Sequence, residues 1–207
     1  MTRSPMTRTA MTRLGALLAV LALALVACGP PPEPAGIVRD PAPVVGDVTL
    51  PDVTTGEDFA FVAAPDEVLV VYFGFTSCPD VCPTTLADLR RALEELGSDA
   101  DRVSVAMATV DPGRDTEEVV TGYLHSFLPD GHALRTDDDA RLAAAAEAFG
   151  ASYEVTTADD GRIDVAHTGF LYAVDDQGRL ALTWPFGIAW QDIQTDLELL
   201  LEQTEET

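Results

Sequence analysis

The stretch VLVVYFGFTSCPDVCPTTLADLRRALEEL, residues 68–96, joins two patterns of different period, and its reading decides the fold. Val68 to Phe75 is an unbroken β-branched and aromatic run, the pattern of a central strand covered on both faces. From Pro83 to Leu96 the period changes: Leu86, Leu89, Leu93 and Leu96 recur at helical spacing. Pro83 suits a first helical turn, because the N–H it lacks would have no intrahelical partner there. Cys78 and Cys82 lie in the junction, four positions apart.

Working outward, Val103 to Val110 reads as a second buried strand. Asp115 to Phe127 reads as a helix with acids in its opening turn, favourable for the helix dipole. Asp137 to Phe149 is an alanine-rich helix stopped by Gly150. Phe170 to Val174 and Leu180 to Thr183 are strands joined by the hairpin signal Asp175-Asp176-Gln177-Gly178, and an amphipathic helix over Trp190 to Leu201 follows. This order predicts an α/β domain with a central mixed sheet flanked by helices and a C-terminal β-hairpin and helix. It matches the thioredoxin-like fold, with insertions between the second strand and the hairpin.

The N-terminus obeys a different logic. Arg3, Arg8 and Arg13 precede a 14-residue acid-free apolar run, Leu14 to Ala27. A bilayer span needs roughly 17–25 residues, so this length suits the core of an export signal instead. The run ends Leu25-Val26-Ala27-Cys28-Gly29, which resembles a bacterial lipoprotein signal and implies removal of residues 1–27 and lipidation of Cys28. An uncleaved anchor is the alternative; either places the domain on the extracytoplasmic face of a bacterial cell membrane. Met-Thr-Arg recurs at Met1, Met6 and Met11, and a start at any of them keeps the apolar run. Residues 28–46, with prolines at 30, 31, 32, 34, 41 and 43, read as a Pro-rich tether. About 15 such residues in polyproline II, at roughly 3.1 Å each, would hold the domain on the order of 45 Å from the lipid. One folded, monomeric domain is then expected over 47–207.

The chain carries 35 acidic residues against 12 arginines and no lysine. Without residues 1–27 the arginines fall to nine and the formal charge to about −26. Such a surface repels nucleic acid and anionic lipid, and is open to cations or basic partners.

With Cys28 lipidated, Cys78 and Cys82 are the thiols left to the domain. A structural disulfide over so short a loop gains little, since stabilisation grows with loop length. Placement points to chemistry: the C-terminal end of a buried strand meets a helix N-terminus, where open α/β sheets bind ligands and thiolates are favoured. Asp80, between the cysteines, works against that acidity. Three intervening residues, Pro79-Asp80-Val81, differ from the Cys-x-x-Cys of disulfide exchangers, and sulfurs at i and i+4 share one helical face, able to grip a metal or close a disulfide. A metal needs a third donor. Among the histidines, His125 falls mid-helix and His132 in a polar loop, whereas His167 stands just before the strand Phe170 to Val174, where the turn faces the cysteine loop. Two thiolates and an imidazole suit Cu(I) and Cu(II); zinc in a structural site wants a fourth ligand. Met107 falls in a core strand, so no methionine-rich copper cluster accompanies the site.

Three segments, in order, resemble the signatures of the Sco/SenC copper-binding proteins: Tyr72-Phe73-Gly74-Phe75-Thr76-Ser77-Cys78-Pro79-Asp80-Val81-Cys82-Pro83, Val110-Asp111-Pro112-Gly113-Arg114-Asp115-Thr116, and His167-Thr168 followed by a strand and Asp175-Asp176-Gln177-Gly178. The resemblance covers about residues 47–202. It implies a membrane-tethered thioredoxin-like domain that binds copper through Cys78, Cys82 and His167 and helps assemble the CuA centre of cytochrome c oxidase. Its partners would be the CuA-bearing subunit or another copper chaperone. The cysteines would be able to cycle to a disulfide, so thiol-disulfide reduction of the oxidase's copper-site cysteines is the alternative activity. Asp111 and Arg114 belong to the second motif, as chemistry or as a capped turn supporting the cysteine loop. Ser77 stands where relatives often carry histidine, and Ala166 where an aspartate commonly precedes the metal histidine; Asp164 is the candidate to compensate.

Overall fold

All seven residues of the strand Val68–Gly74 are buried, as its unbroken apolar sequence requires. The computed structural model describes residues 33–205. In chain order the strands are β1 (Ile37–Val38), β2 (Thr49–Asp52), β3 (Glu57–Ala60), β4 (Val68–Gly74), β5 (Val103–Thr109), β6 (His132–Leu134), β7 (Tyr153–Thr157), β8 (Ile163–His167), β9 (Leu171–Val174) and β10 (Leu180–Trp184). The helices are α1 (Val81–Leu96), α2 (Glu117–His125), α3 (Asp139–Phe149) and α4 (Trp190–Glu205).

Eight strands form one mixed sheet in the order β1-β10-β9-β4-β5-β6-β2-β3, and β7 and β8 pair as a separate ribbon. β4, β5 and β6 run parallel, while β9 lies antiparallel to β4 on its other side. This is the thioredoxin-like mixed sheet that the order of elements predicts. Pleating sends alternate β4 side chains to opposite faces. Phe73 turns to the α3 side, where its ring lies 5.3 Å from Phe149 and 6.1 Å from Tyr172. Tyr72 and the bare face of Gly74 turn to the α1 side, toward Cys82. Helix α3 starts on Asp138, which accepts the N–H groups of Ala140 and Arg141, and stops at left-handed Gly150, the expected terminator.

The N-terminal boundary differs from expectation. The signal at 1–27, Cys28 and the prolines at 30–32 lie outside the described residues. Residues 35–45, expected as tether, are instead part of the domain. Ala35 and Gly36 donate their N–H groups to the two oxygens of buried Asp196, each at 2.8 Å, and Trp184 Nε1 donates to the same carboxylate at 2.8 Å. Ile37 and Val38 then pair with Thr183 and Leu182, and Val45 is fully buried. Prolines favour extended backbone, and extended backbone is what a sheet edge accepts; between Pro34 and Pro41 the chain still carries the N–H groups to pair. Gly36 permits the approach, since a Cβ there would stand 2.8 Å from Leu182 and Trp184.

Candidate metal centre

Helix α1 begins behind Asp80 without a side-chain cap from that residue. The first N–H groups of a helix have no intrahelical partners. One is taken by sulfur: Cys82 N–H donates to Cys78 Sγ at 3.3 Å. The four-residue spacing therefore closes one turn and sets Cys78 against the electropositive end of the helix. Both cysteines are free thiols, Cys78 half-buried and Cys82 buried. Beneath Cys82 the sheet is cut away, because a Cβ on Gly74 would lie 3.2 Å from Cys82 Sγ and 2.5 Å from the Tyr72 ring.

His167 ends β8, three residues before the main sheet resumes, on the β7–β8 ribbon. Strand alternation turns Ile163, Val165 and His167 inward and leaves Asp164 and Ala166 exposed. His167 Nε2 stands 3.4 Å from Cys82 Sγ. Its Nδ1 lies 3.2 Å from the Thr168 carbonyl. A carbonyl only accepts, so Nδ1 carries the hydrogen and Nε2 presents its lone pair to the sulfurs. Edge-on contacts from Phe75, at 5.6 Å, and Tyr72, at 6.1 Å, fix the ring. The ligand atoms of Cys78, Cys82 and His167 all lie within 4.8 Å of one another, the single such grouping of three or more His, Cys, Asp or Glu among the described residues.

Burial pushes the Cys82 thiol up to about 12, against the opposing effects of the Tyr72 hydroxyl and the Phe75 N–H. Burial also lowers His167 below the usual imidazole value, outweighing the carbonyls of Thr168 and Phe73. At neutral pH the resting site thus holds a protonated Cys82 beside a neutral imidazole. A thiophilic ion must displace that proton to bind, and gains two sulfurs and one nitrogen in return. Three soft or borderline donors suit a low-coordinate copper ion, and the grouping supplies no fourth donor for structural zinc.

The other candidates separate cleanly. His125 Nε2 meets the Gly131 carbonyl at 2.9 Å. His132, expected in a loop, lies in β6 and pairs with buried Asp52 at 2.7 Å. Asp80 is exposed, with Thr84 Oγ1 3.5 Å from its carboxylate. Asp164 is exposed on the far side of β8 from His167, so alternation denies it the orienting role; the Thr168 carbonyl fills that role instead.

Sequence reasoning missed Asp115. Expected in the opening turn of a helix, it has no exposed surface, and α2 begins two residues later on a Thr116 cap. Its carboxylate accepts the Thr76 N–H at 3.0 Å, the Thr76 hydroxyl at 2.5 Å and the Thr109 hydroxyl at 2.6 Å. It thereby ties the cysteine loop to β5. Asp111, also buried, pairs with Arg114, whose guanidinium lies 5.8 Å over the Phe75 ring, which in turn packs on His167. The second motif acts by support, and its signal was four acids, Asp111, Asp115, Glu117 and Glu118, in a segment where the helix dipole needs only the last two.

Known proteins resemble this chain in sequence and in fold. Residues 39–202 match the family model described as SCO1/SenC. An SCO2-like protein of Rickettsia prowazekii is 32% identical over 145 residues, 69% of this chain and 70% of that protein. Among solved structures, apo Sco1 from Thermus thermophilus superposes with a TM-score of 0.72 at 32% identity, covering 83% of this chain and 99% of that one. Bradyrhizobium japonicum ScoI with copper bound gives 0.64 at 29% identity, covering 73% and 96%.

Proposed function

The chain belongs to the SCO1/SenC family, and from that premise we propose that it is a copper carrier that takes up copper through Cys78, Cys82 and His167 and passes it on during assembly of the CuA centre of cytochrome c oxidase. The observation that carries the reading is the convergence of two sulfurs and an unprotonated imidazole nitrogen within 4.8 Å. The copper held by the relative from Bradyrhizobium japonicum supports the choice of metal. Copper here is cargo: Cys78, half-buried, is the ligand that an incoming donor reaches first, and Cys82 and His167 hold the ion from beneath. The carrier works as a monomer at the extracytoplasmic face of a bacterial membrane, held there through a lipidated Cys28 after removal of residues 1–27. The recipient is the CuA-bearing subunit or an intermediary copper carrier.

A second reading draws on the unequal exposure of the two thiols. Cys78 would attack an oxidised copper-site disulfide in the recipient, and Cys82 would resolve the mixed disulfide. The recipient leaves as a dithiol and Cys78–Cys82 as a disulfide. His167 has no part in that exchange.

Titration of the chain from Gly29 onward with Cu(I) and Cu(II) separates the readings. The wild type is expected to bind one copper and to show a Cu(II)–thiolate absorption band. His167→Ala should lose the band while keeping Cu(I), and Cys78→Ser/Cys82→Ser should lose both. A His167→Ala protein with unaltered Cu(II) affinity and spectrum rules out the three-ligand site. Failure to bind copper, together with reduction of an oxidised CuA-domain peptide, favours the exchanger.

A further inference from the structure

Tyr72 lies on β4 with no exposed surface, and its hydroxyl is buried without a hydrogen-bond partner. Leaving such a group unpaired is costly. Packing does not demand the hydroxyl, since Phe73 and Phe75 fill neighbouring positions of the same segment with plain rings.

The surroundings of this hydroxyl are specific. Burial holds its ionisation well above the usual phenol range, and Cys82, Thr85 and Cys78 are the polar side chains that bear on it. Thr85 already spends its hydrogen on the Val81 carbonyl at 2.8 Å. The Tyr72 ring and the Cys82 sulfur border the same empty face of Gly74, and the ring packs edge-on against His167 at 6.1 Å. A thiol sulfur is a weak acceptor. A thiolate is a strong one.

We propose that Tyr72 is a positioning residue for the metal-bound state: when a metal is held by Cys82, the Tyr72 hydroxyl donates its hydrogen bond to the Cys82 sulfur. The inference rests on the copper-carrier reading and adds a determinant of oxidation state to it. A hydrogen bond to a coordinating sulfur withdraws electron density from it, so the site favours Cu(I) over Cu(II), and the sulfur-to-Cu(II) absorption moves to higher energy. Tyr72 acts through Cys82 and touches no recipient.

The fold supplies its own control. Tyr172 also buries an unpartnered hydroxyl, but on the opposite face of the sheet, packed on Phe149 and Phe73. Tyr72→Phe and Tyr172→Phe each remove one idle hydroxyl and keep the ring. Both are expected to fold with an unchanged or slightly raised melting temperature. Tyr72→Phe alone should move the Cu(II)–thiolate band to longer wavelength and reduce the preference for Cu(I) over Cu(II) roughly tenfold, the effect of one hydrogen bond to a charged group. Cd(II), read by its thiolate absorption in the ultraviolet, provides the same comparison without copper. A band that stays put in Tyr72→Phe, or moves equally in Tyr172→Phe, overturns the proposal and leaves the copper reading intact. A wild type that binds Cd(II) but not copper, with the shift confined to Tyr72→Phe, overturns the copper reading and leaves the role of Tyr72 standing. A wild type that binds neither metal overturns both.

Discussion

Cys82 and His167 meet at 3.4 Å, yet the molecule supports them unequally. Cys82 is fully buried above the central strand, in the first turn of α1, and the loop leading to it is held at Thr76 by a carboxylate with no exposed surface. His167 comes from a two-stranded ribbon outside the main sheet, with all of Glu154–Thr157 exposed. Its base is clasped by Ser152 and Thr168, through a Thr168 N–H to Ser152 carbonyl bond of 2.8 Å and a Ser152 N–H to Thr168 hydroxyl bond of 3.0 Å. Regions with few buried contacts and exposed backbone hydrogen bonds open most readily. The Cys82 sulfur is thus the fixed part of the site and the imidazole the removable part, an arrangement consistent with the proposed carrier role, which requires release.

The largest test of that contrast pairs two buried carboxylates. Asp115→Ala and Asp196→Ala should each cost about 3 kcal/mol, since each strands several donors, measurable by chemical denaturation. Only Asp115→Ala should also weaken copper binding, because Asp196 serves the N-terminal edge. Equal effects on copper would erase the distinction between core support and site support. Next, Gly74→Ala pushes a methyl into the Tyr72 ring and the Cys82 sulfur and should cost about 2 kcal/mol. A wild-type copper spectrum in this variant would mean that the sulfur is less fixed than its packing indicates.

Acid sharpens the comparison by acting elsewhere. Burial works against the Asp52 carboxylate, but hydrogen bonds from Thr54 and His132 outweigh it and hold its pKa below the ordinary 3.8. A depressed folded-state value contributes stability that is fully present above about pH 4 and lost as pH falls through the folded value. Denaturation from pH 6 to pH 2.5 should show this loss, and Asp52→Asn should flatten it, with amide exchange rising first along β2 and β6 rather than at β4. The smallest effect belongs to the ribbon: Thr168→Val should cost about 1 kcal/mol, leave Cu(I) on the sulfurs, and speed copper release to a competing chelator.

The cysteine half was legible in the sequence because its signals are local: an unbroken apolar strand, leucines at helical spacing and a cysteine pair between them. The choice of His167 as candidate third donor followed from its place before Phe170. The ribbon that carries it was not legible, since Tyr153–Thr157 and Ile163–His167 bury one side weakly and lack the hydrophobic run of a core strand. Asp115 escaped because an acid ahead of a helix has an adequate local explanation, and its true partners lie 39 residues back at Thr76 and 6 residues back at Thr109. The N-terminal edge escaped for a similar reason: Asp196 reaches across 160 and 161 residues to meet it.

That last contact has a mechanical meaning. A pull on the chain ahead of Ala35 reaches the domain at the Asp196 carboxylate and the short β1–β10 pairing. From there the load passes into α4 and Trp184, whereas β4 stands two strands further in, behind β10 and β9. The Asp196 clamp would therefore meet a force from the N-terminal side first, at the edge of the sheet, with β10 and β9 standing between that edge and the strand beneath the two sulfurs.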